Sequence, residues 1–110
     1  MIFQYEELKE YVKEDFERFC NMGFNENQIF PAVLDEYEYG EKFDFVENAC
    51  IHVFLILLYR KKGLNCSHIL YNMNQFMNDE TESKIMAELG KEDSKFITDL
   101  SMARDNKSHG

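Results

Sequence analysis

Residues that interrupt regular structure are scarce in this 110-residue chain, which has one proline and five glycines. Small strand-rich domains need frequent turn residues, so this shortage favours helices. Tryptophan is absent, but ten phenylalanines and six tyrosines help to make the chain 45% hydrophobic. That composition is typical of a folded domain and unlike that of a disordered chain. Because a chain of this length suffices for one core, we predict a compact, single all-α domain.

The sequence also lacks the features of exported and membrane proteins. Its N-terminus has no basic region followed by an apolar run, which argues against a signal peptide. The longest apolar run, Ala49–Tyr59, contains His52 and is much shorter than the roughly 20 residues that a membrane-spanning helix needs. Three cysteines are an odd number and favour reduced thiols over a disulfide framework. We therefore expect a cytoplasmic protein without a membrane partner.

Hydrophobic periodicity divides the chain into five or six helices. Helices are predicted over about 5–22, 25–40, 44–63, 67–77, 81–89 and 93–104. The third is apolar on nearly every side, so we expect it to lie at the centre of the bundle, with His52 as a core imidazole. Residues 1–104 would form the domain, and 105–110 would be a disordered tail.

Particular residues mark the ends and faces of the first two helices. Gly23 provides the left-handed cap that commonly follows a helix, and Asn25 with Gln28 resembles a capping pair for the second helix, with Asn27 as the alternative cap. The inward stripe of the first helix is predicted from apolar spacing, and it comprises Tyr5, Leu8, Val12, Phe16 and Phe19, extended by Tyr11 and Cys20.

Motifs for catalysis or metal binding are missing from the sequence. It contains no HExxH, no CxxC, no glycine-rich phosphate loop and no GxSxG elbow. A calcium loop starting at Asp35 would place Gly40 correctly, but Tyr37, Tyr39 and Val46 occupy ligand positions. A spatially assembled Cys–His nucleophile or a carboxylate pair remains the enzymatic alternative. The expectation is a protein that is not an enzyme and has no cofactor or metal.

The distribution of charge is the most informative property of the sequence. Residues 1–50 hold thirteen Asp and Glu against four Lys and Arg, a net of −9, whereas residues 51–110 hold eight of each, a net of zero. An acidic half repels nucleic acid and anionic membranes, but it steers a basic protein towards itself. The plain alternative is that the acidic excess only aids solubility.

The segment 35–47 concentrates this charge, with six carboxylates and one lysine interleaved with aromatic residues. Glu36 and Glu38 would oppose the dipole at a helix C-terminus, which indicates a role other than stability. Tyrosine offers rigid contact area with a polar tip, although Tyr37 could equally belong to the core, with the acids as a solvated rim. The predicted partner-binding residues are Glu10, Glu14, Glu17, Asp35, Glu36, Tyr37, Glu38, Tyr39, Glu41, Asp44 and Glu47.

Three stretches resemble the all-helical immunity proteins of bacterial polymorphic-toxin and contact-dependent inhibition systems. They are Tyr5-Glu6-Glu7-Leu8, Glu36-Tyr37-Glu38-Tyr39 and the central helix from Cys50 to Leu64, and the resemblance covers roughly residues 3–64. It implies an inhibitor that neutralises a toxin domain. With the charge pattern, the expected target is a basic toxin, most plausibly a nuclease, occluded by the acidic face. The alternative is a phage or regulatory adaptor that blocks a nucleic-acid-handling host enzyme by DNA mimicry.

Overall fold

The computed structural model describes residues 5–36, 45–75 and 77–88, which form helices and no strand. The elements are α1 (Tyr5–Asn21), α2 (Glu26–Glu36), α3 (Phe45–Lys61), α4 (Ser67–Met73) and α5 (Asp79–Glu88). The all-α prediction is therefore confirmed. The helix predicted over 93–104 and the tail predicted over 105–110 lie outside the described residues.

The apolar helix α3 occupies the centre of the bundle, as predicted. Every residue from Glu47 to Ile56 is buried, and so is Tyr59. Helices α1, α4 and α5 pack against α3, and the Phe30 ring of α2 meets the His52 ring edge-on at 5.3 Å. A helix covered on all sides has no polar face to orient it, so its position depends on the helices around it.

Helix α1 presents one apolar stripe to this core. Leu8, Val12, Phe16 and Phe19 are buried, which confirms the predicted spacing. Tyr11 was wrongly placed in the stripe, because 47% of it is exposed. At about 100° per residue it projects from the margin of the buried face, where an aromatic ring with a polar tip can remain in solvent. The side chain of Tyr5 lies outside the described part.

Two glycine-terminated caps end α1 and α3. Gly23 has φ 88°, and the N–H of Phe24 donates to the Phe19 carbonyl at 3.1 Å. The Phe19 and Phe24 rings stack at 5.2 Å, which is the hydrophobic contact expected at such a cap. Gly63, with φ 74°, ends α3 in the same manner. The positive φ explains why glycine occupies both positions.

Helix α2 begins with the predicted reciprocal cap. The Asn27 N–H donates to Asn25 Oδ1 at 2.8 Å, and the Asn25 N–H donates to Gln28 Oε1 at 2.9 Å. This arrangement satisfies backbone donors at the helix start. The helix then continues through Pro31 to its last residue, Glu36.

Tyr59 fixes the start of α2 to the central helix. Its hydroxyl donates to the Glu26 carbonyl at 2.7 Å and accepts the Phe30 N–H at 3.0 Å. Since Glu26 lies four residues before Phe30, the hydroxyl bridges the two ends of one helical turn. The Tyr59 ring also packs against Phe16 of α1 at 5.7 Å. One side chain of α3 therefore positions α1 and α2 together.

Candidate partner-binding surface

The solvent side of α1 carries five glutamates, and the exposed Lys13 borders them on that side. These five exposed residues, which we name the α1 acidic face, are Glu6, Glu7, Glu10, Glu14 and Glu17. At 3.6 residues per turn they fall within an arc about 100° wide, centred opposite the buried stripe. The spacing that directs Leu8 and Val12 inward therefore directs the acids outward. Three of the predicted partner-binding residues, Glu10, Glu14 and Glu17, belong to this face.

The spacing of the α1 acidic face is close to that of phosphates along nucleic acid. From Glu6 to Glu17 the helix axis advances about 17 Å, so the five carboxylates occur about every 4 Å. One strand of B-DNA carries a charge about every 3.4 Å of its axis. The row thus offers a protein with a phosphate-binding cleft a similar linear density of negative charge.

Two of the three cations of α1 are turned towards the body of the protein. The Lys9 ammonium lies 6.0 Å from the centre of the buried Phe54 ring. The Arg18 guanidinium lies 4.9 Å from the Phe19 ring and forms ion pairs with Asp15 at 3.2 Å and Glu36 at 3.0 Å. These contacts draw positive charge away from the acidic face, so its local potential is more negative than the residue count of α1 implies.

The end of α2 lies beside the last turns of α1 through this ion pair. Asp35 and Glu36 are both exposed, as the prediction required. Glu36, however, is paired with Arg18, and this contact gives it a structural explanation that the sequence did not indicate. Asp35 is the other exposed carboxylate at the end of α2.

Glu47 corrects the predicted partner-binding set. Only 2% of it is exposed, because it faces inward from the first turn of the central helix α3. Sequence spacing assigned it to the acidic segment, but burial removes it from the surface that a partner can reach. Tyr37, Glu38, Tyr39, Glu41 and Asp44 lie outside the described residues, so their predicted role stays a prediction.

Tyr11 is a candidate contact residue that the sequence reasoning assigned elsewhere. It lies four residues after Glu7 and three before Glu14, so it borders the acidic face on the helix surface. An exposed tyrosine beside carboxylates combines apolar area with hydrogen-bonding capacity, as binding hot spots often do. The sequence signal for its exposure was its position at the margin of the apolar stripe.

The His52 imidazole and the Cys66 thiol have surroundings typical of structural groups. The His52 Nδ1–H donates to the Asn48 carbonyl at 2.7 Å, and Asn72 Nδ2 lies 2.8 Å from His52 Nε2. Burial raises the pKa of the Cys66 thiol, the opposite of what activates a nucleophile. Within ranges 5–36, 45–75 and 77–88, no cluster of His, Cys, Asp and Glu could hold a metal, and no helix has the length and apolarity to cross a membrane.

The chain matches no protein-family model, no curated protein and no solved structure. The role of the acidic face is therefore argued from its own geometry and charge.

Proposed function

We propose that this protein is a cytoplasmic binding inhibitor of the immunity-protein kind, which neutralises a basic protein by covering it with the α1 acidic face. The observation that carries the proposal is the segregation of charge on α1. Five glutamates share the solvent face, while Lys9 and Arg18 are drawn towards buried rings and Asp15. A face of one sign attracts a partner of the other and accelerates its association.

Helix stability explains only part of this arrangement, since Glu6 and Glu7 suit the positive end of the α1 dipole but Glu14 and Glu17 lie beyond it. Glu10 has Glu6 and Glu14 one turn away on either side, and like charges four residues apart destabilise a helix by about 0.2–0.5 kcal/mol per pair. Solubility requires net charge but no particular pattern, and dispersed acids would serve it equally well. Five glutamates grouped on one face, with Lys13 as the bordering cation, match a complementary basic surface.

The proposed target is a nuclease toxin, because an enzyme that holds a phosphate backbone needs a cationic cleft. The carboxylates would occupy the positions of successive phosphates and accept hydrogen bonds from arginine and lysine. Tyr11, beside the glutamates, would contact the rim of the cleft. Inhibition would follow from occlusion, without any chemical step in this protein.

A charge-matched pair of variants tests the surface. The double variant Glu10→Gln/Glu14→Gln removes two charges from the acidic face, and Asp79→Asn/Glu80→Gln removes two from α5, leaving the same net charge. Wild type and both variants are immobilised, exposed to lysate of the source cell and eluted with a salt gradient. We expect one basic protein to be retained by wild type and by the α5 variant and to elute earlier, or not bind, with the α1 variant.

Equal elution from all three columns would contradict the acidic-face proposal, since only net charge or another surface would then matter. A second matched pair tests the aromatic contact. Tyr11→Ala should weaken binding about tenfold or more, as loss of an interface tyrosine commonly does, whereas Tyr71→Ala on α4 should not. Tyr11 is 47% exposed and Tyr71 81%, so urea denaturation of both variants separates a loss of binding from a loss of stability.

The identity of the retained protein separates the inhibitor from the DNA mimic. A secreted toxin domain, especially one encoded immediately upstream, supports the immunity role. A host polymerase, nuclease or repressor displaced from DNA by this protein would indicate the adaptor that mimics DNA. A toxin and a host enzyme would both be attracted by the same acidic face. The column comparison therefore tests the face, and the identity of the retained protein tests the function.

A further inference from the structure

The short helix α4 is attached to the core by polar contacts whose acceptors are both titratable side chains. His52 of α3 accepts a hydrogen bond from Asn72 near the end of α4 at 2.8 Å. Glu26 of α2 accepts the backbone N–H of Asn65, just before α4 begins. The His52 contact requires an unprotonated Nε2, so acid weakens it.

The tautomer of His52 follows from its surroundings. Nδ1 faces the Asn48 carbonyl, which can only accept, so the ring proton lies on Nδ1. In the neutral ring Nε2 is then an acceptor, which agrees with the Asn72 amide nitrogen beside it. The ring is fully buried, and burial lowers its pKa from the ordinary 6.5, opposed by the hydrogen bond to Asn48.

Protonation of Nε2 would set two donors, the new N–H and the Asn72 amide, against each other. Rotation of that amide would supply its oxygen, but the same oxygen accepts from Gln75 at 2.6 Å, so Gln75 would have to turn as well. Even then the imidazolium would remain out of water. If α4 moves away from α3, water reaches the charged His52 ring. Opening of α4 is therefore the favourable response to acid.

Burial is the main influence on the pKa of His52. The Phe30 ring of α2 lies between His52 and His68, at 5.3 Å and 5.5 Å from their centres. On α5 the buried residues Thr81 and Ile85 carry no charge. Titratable or charged side chains of the surrounding described elements include Lys9 over Phe54, Glu26 at Asn65, Glu47, Cys50 and Tyr59 on α3, Cys66 before α4, and His68 against Phe30 and Tyr59.

We propose that the His52–Asn72 and Glu26–Asn65 contacts form a latch that holds residues 65–73, including α4, against α2 and α3, and that acid opens this latch at His52. Helix α4 is seven residues long, and the side chain of its first capping residue, Cys66, makes no cap hydrogen bond. A helix this short has little stability of its own, so its docking depends on tertiary contacts. Ile69 and Met73 supply its buried apolar contacts, and the latch supplies the polar ones.

The sign of the pH dependence follows from the lowered pKa of His52. In the opened state His52 titrates near its ordinary value, and in the closed state it resists protonation. The closed state is therefore fully favoured above about pH 6.5 and is lost progressively as the pH falls below that value. Opening should increase by up to about tenfold per pH unit in this range.

Amide hydrogen exchange on the full chain, corrected for the intrinsic effect of pH, measures this opening. Between about pH 7.5 and about pH 5 we expect protection of the Ile69–Met73 amides to fall while that of the Leu8–Phe16 amides in α1 changes less. Protection in α4 that is independent of pH, or a parallel loss in α1 and α4, would overturn the latch.

Two single substitutions test the latch with small changes that should leave the fold intact. Asn72→Asp places a carboxylate beside Nε2, so the imidazolium becomes favoured and an NMR titration of the His52 ring should shift to higher pH. Protection of α4 should then no longer fall on mild acidification. Glu26→Gln keeps an oxygen acceptor for Asn65 and leaves His52 unchanged, so it should retain the wild-type acid response. A wild-type response in Asn72→Asp would contradict the proposal, and so would loss of the response in Glu26→Gln.

Discussion

Helices α1 and α3 are both 17 residues long, yet α1 has one side in solvent and α3 is covered on all sides. Helix α1 has a buried apolar stripe on one side and a group of glutamates on the other, so its two sides have different environments. Helix α3 is buried from Glu47 to Ile56, including the polar side chains Glu47, Asn48 and His52. The comparison teaches that periodicity orients a helix at the surface, whereas a central helix is oriented by the partners of its few polar groups.

The largest expected difference between the two helices is in stability. Phe54→Ala in α3 should lower the free energy of unfolding by about 3–5 kcal/mol, because the 2%-exposed ring leaves a cavity. Glu14→Ala on α1 should change it by no more than about 0.5 kcal/mol. Urea denaturation measures both values, provided that the slope of the transition is unchanged. Similar losses for the two variants would contradict the central position of α3.

A smaller effect is expected where α3 holds α2. Tyr59→Phe should cost about 1–3 kcal/mol, because the hydroxyl bonded to Glu26 and Phe30 is removed while the ring remains. Burial also raises the pKa of Tyr59 to about 12. The phenol ionises near pH 10 in the unfolded chain, so stability should fall as the pH rises from about 10 to about 12.

Phenolate absorbance measures this second effect directly. One of the six tyrosines should titrate after the others in wild type, and that late step should be missing from Tyr59→Phe. If the step persisted in the variant, another tyrosine would be the buried phenol. If the stability loss were absent as well, Tyr59 would not be the side chain that fixes α2 to α3.

The smallest expected effects concern single surface charges, and they should have opposite signs. Glu10→Gln should stabilise the protein by about 0.2–0.5 kcal/mol, since Glu6, Glu7 and Glu14 repel the charge that it removes. Glu80→Gln should destabilise it by a similar amount, because Glu80 pairs with Lys84 at 3.1 Å and begins α5. Thermal unfolding at low and high salt should show both effects shrinking as salt is added. Two effects of the same sign would remove the stability argument for the acidic face.

The parts of the fold that could be predicted depend on local chemistry. The apolar spacing of Leu8, Val12 and Phe16 predicted the buried side of α1, and Gly23 with Asn25 predicted the turn into α2. These features were predictable because 3.6-residue periodicity and capping involve neighbours along the chain. The glutamates of α1 were placed by the same rule, so that part of the candidate surface follows from sequence.

Other parts of the site could not be read from neighbours in the chain. Glu36 was interpreted as a contact for a partner, but Arg18, eighteen positions away, already pairs with it. Glu47 was grouped with nearby acids, although the helix turns it inward. Tyr11 was assigned to the core and is exposed. In each case the deciding contact comes from a residue on another element or from the depth at which the helix lies.

The sequence by itself determined that this protein is helical, that α3 is central and that α1 has an acidic side, because these depend on composition and on the period of one helix. Only the tertiary structure decided which polar groups are satisfied internally. The Tyr59 hydroxyl bridges a turn of α2, His52 accepts a hydrogen bond from Asn72, and Arg18 forms an ion pair with Glu36. Such pairings depend on where separate helices cross, and hydrogen bonds and ion pairs form only between atoms that the packing brings within about 3 Å.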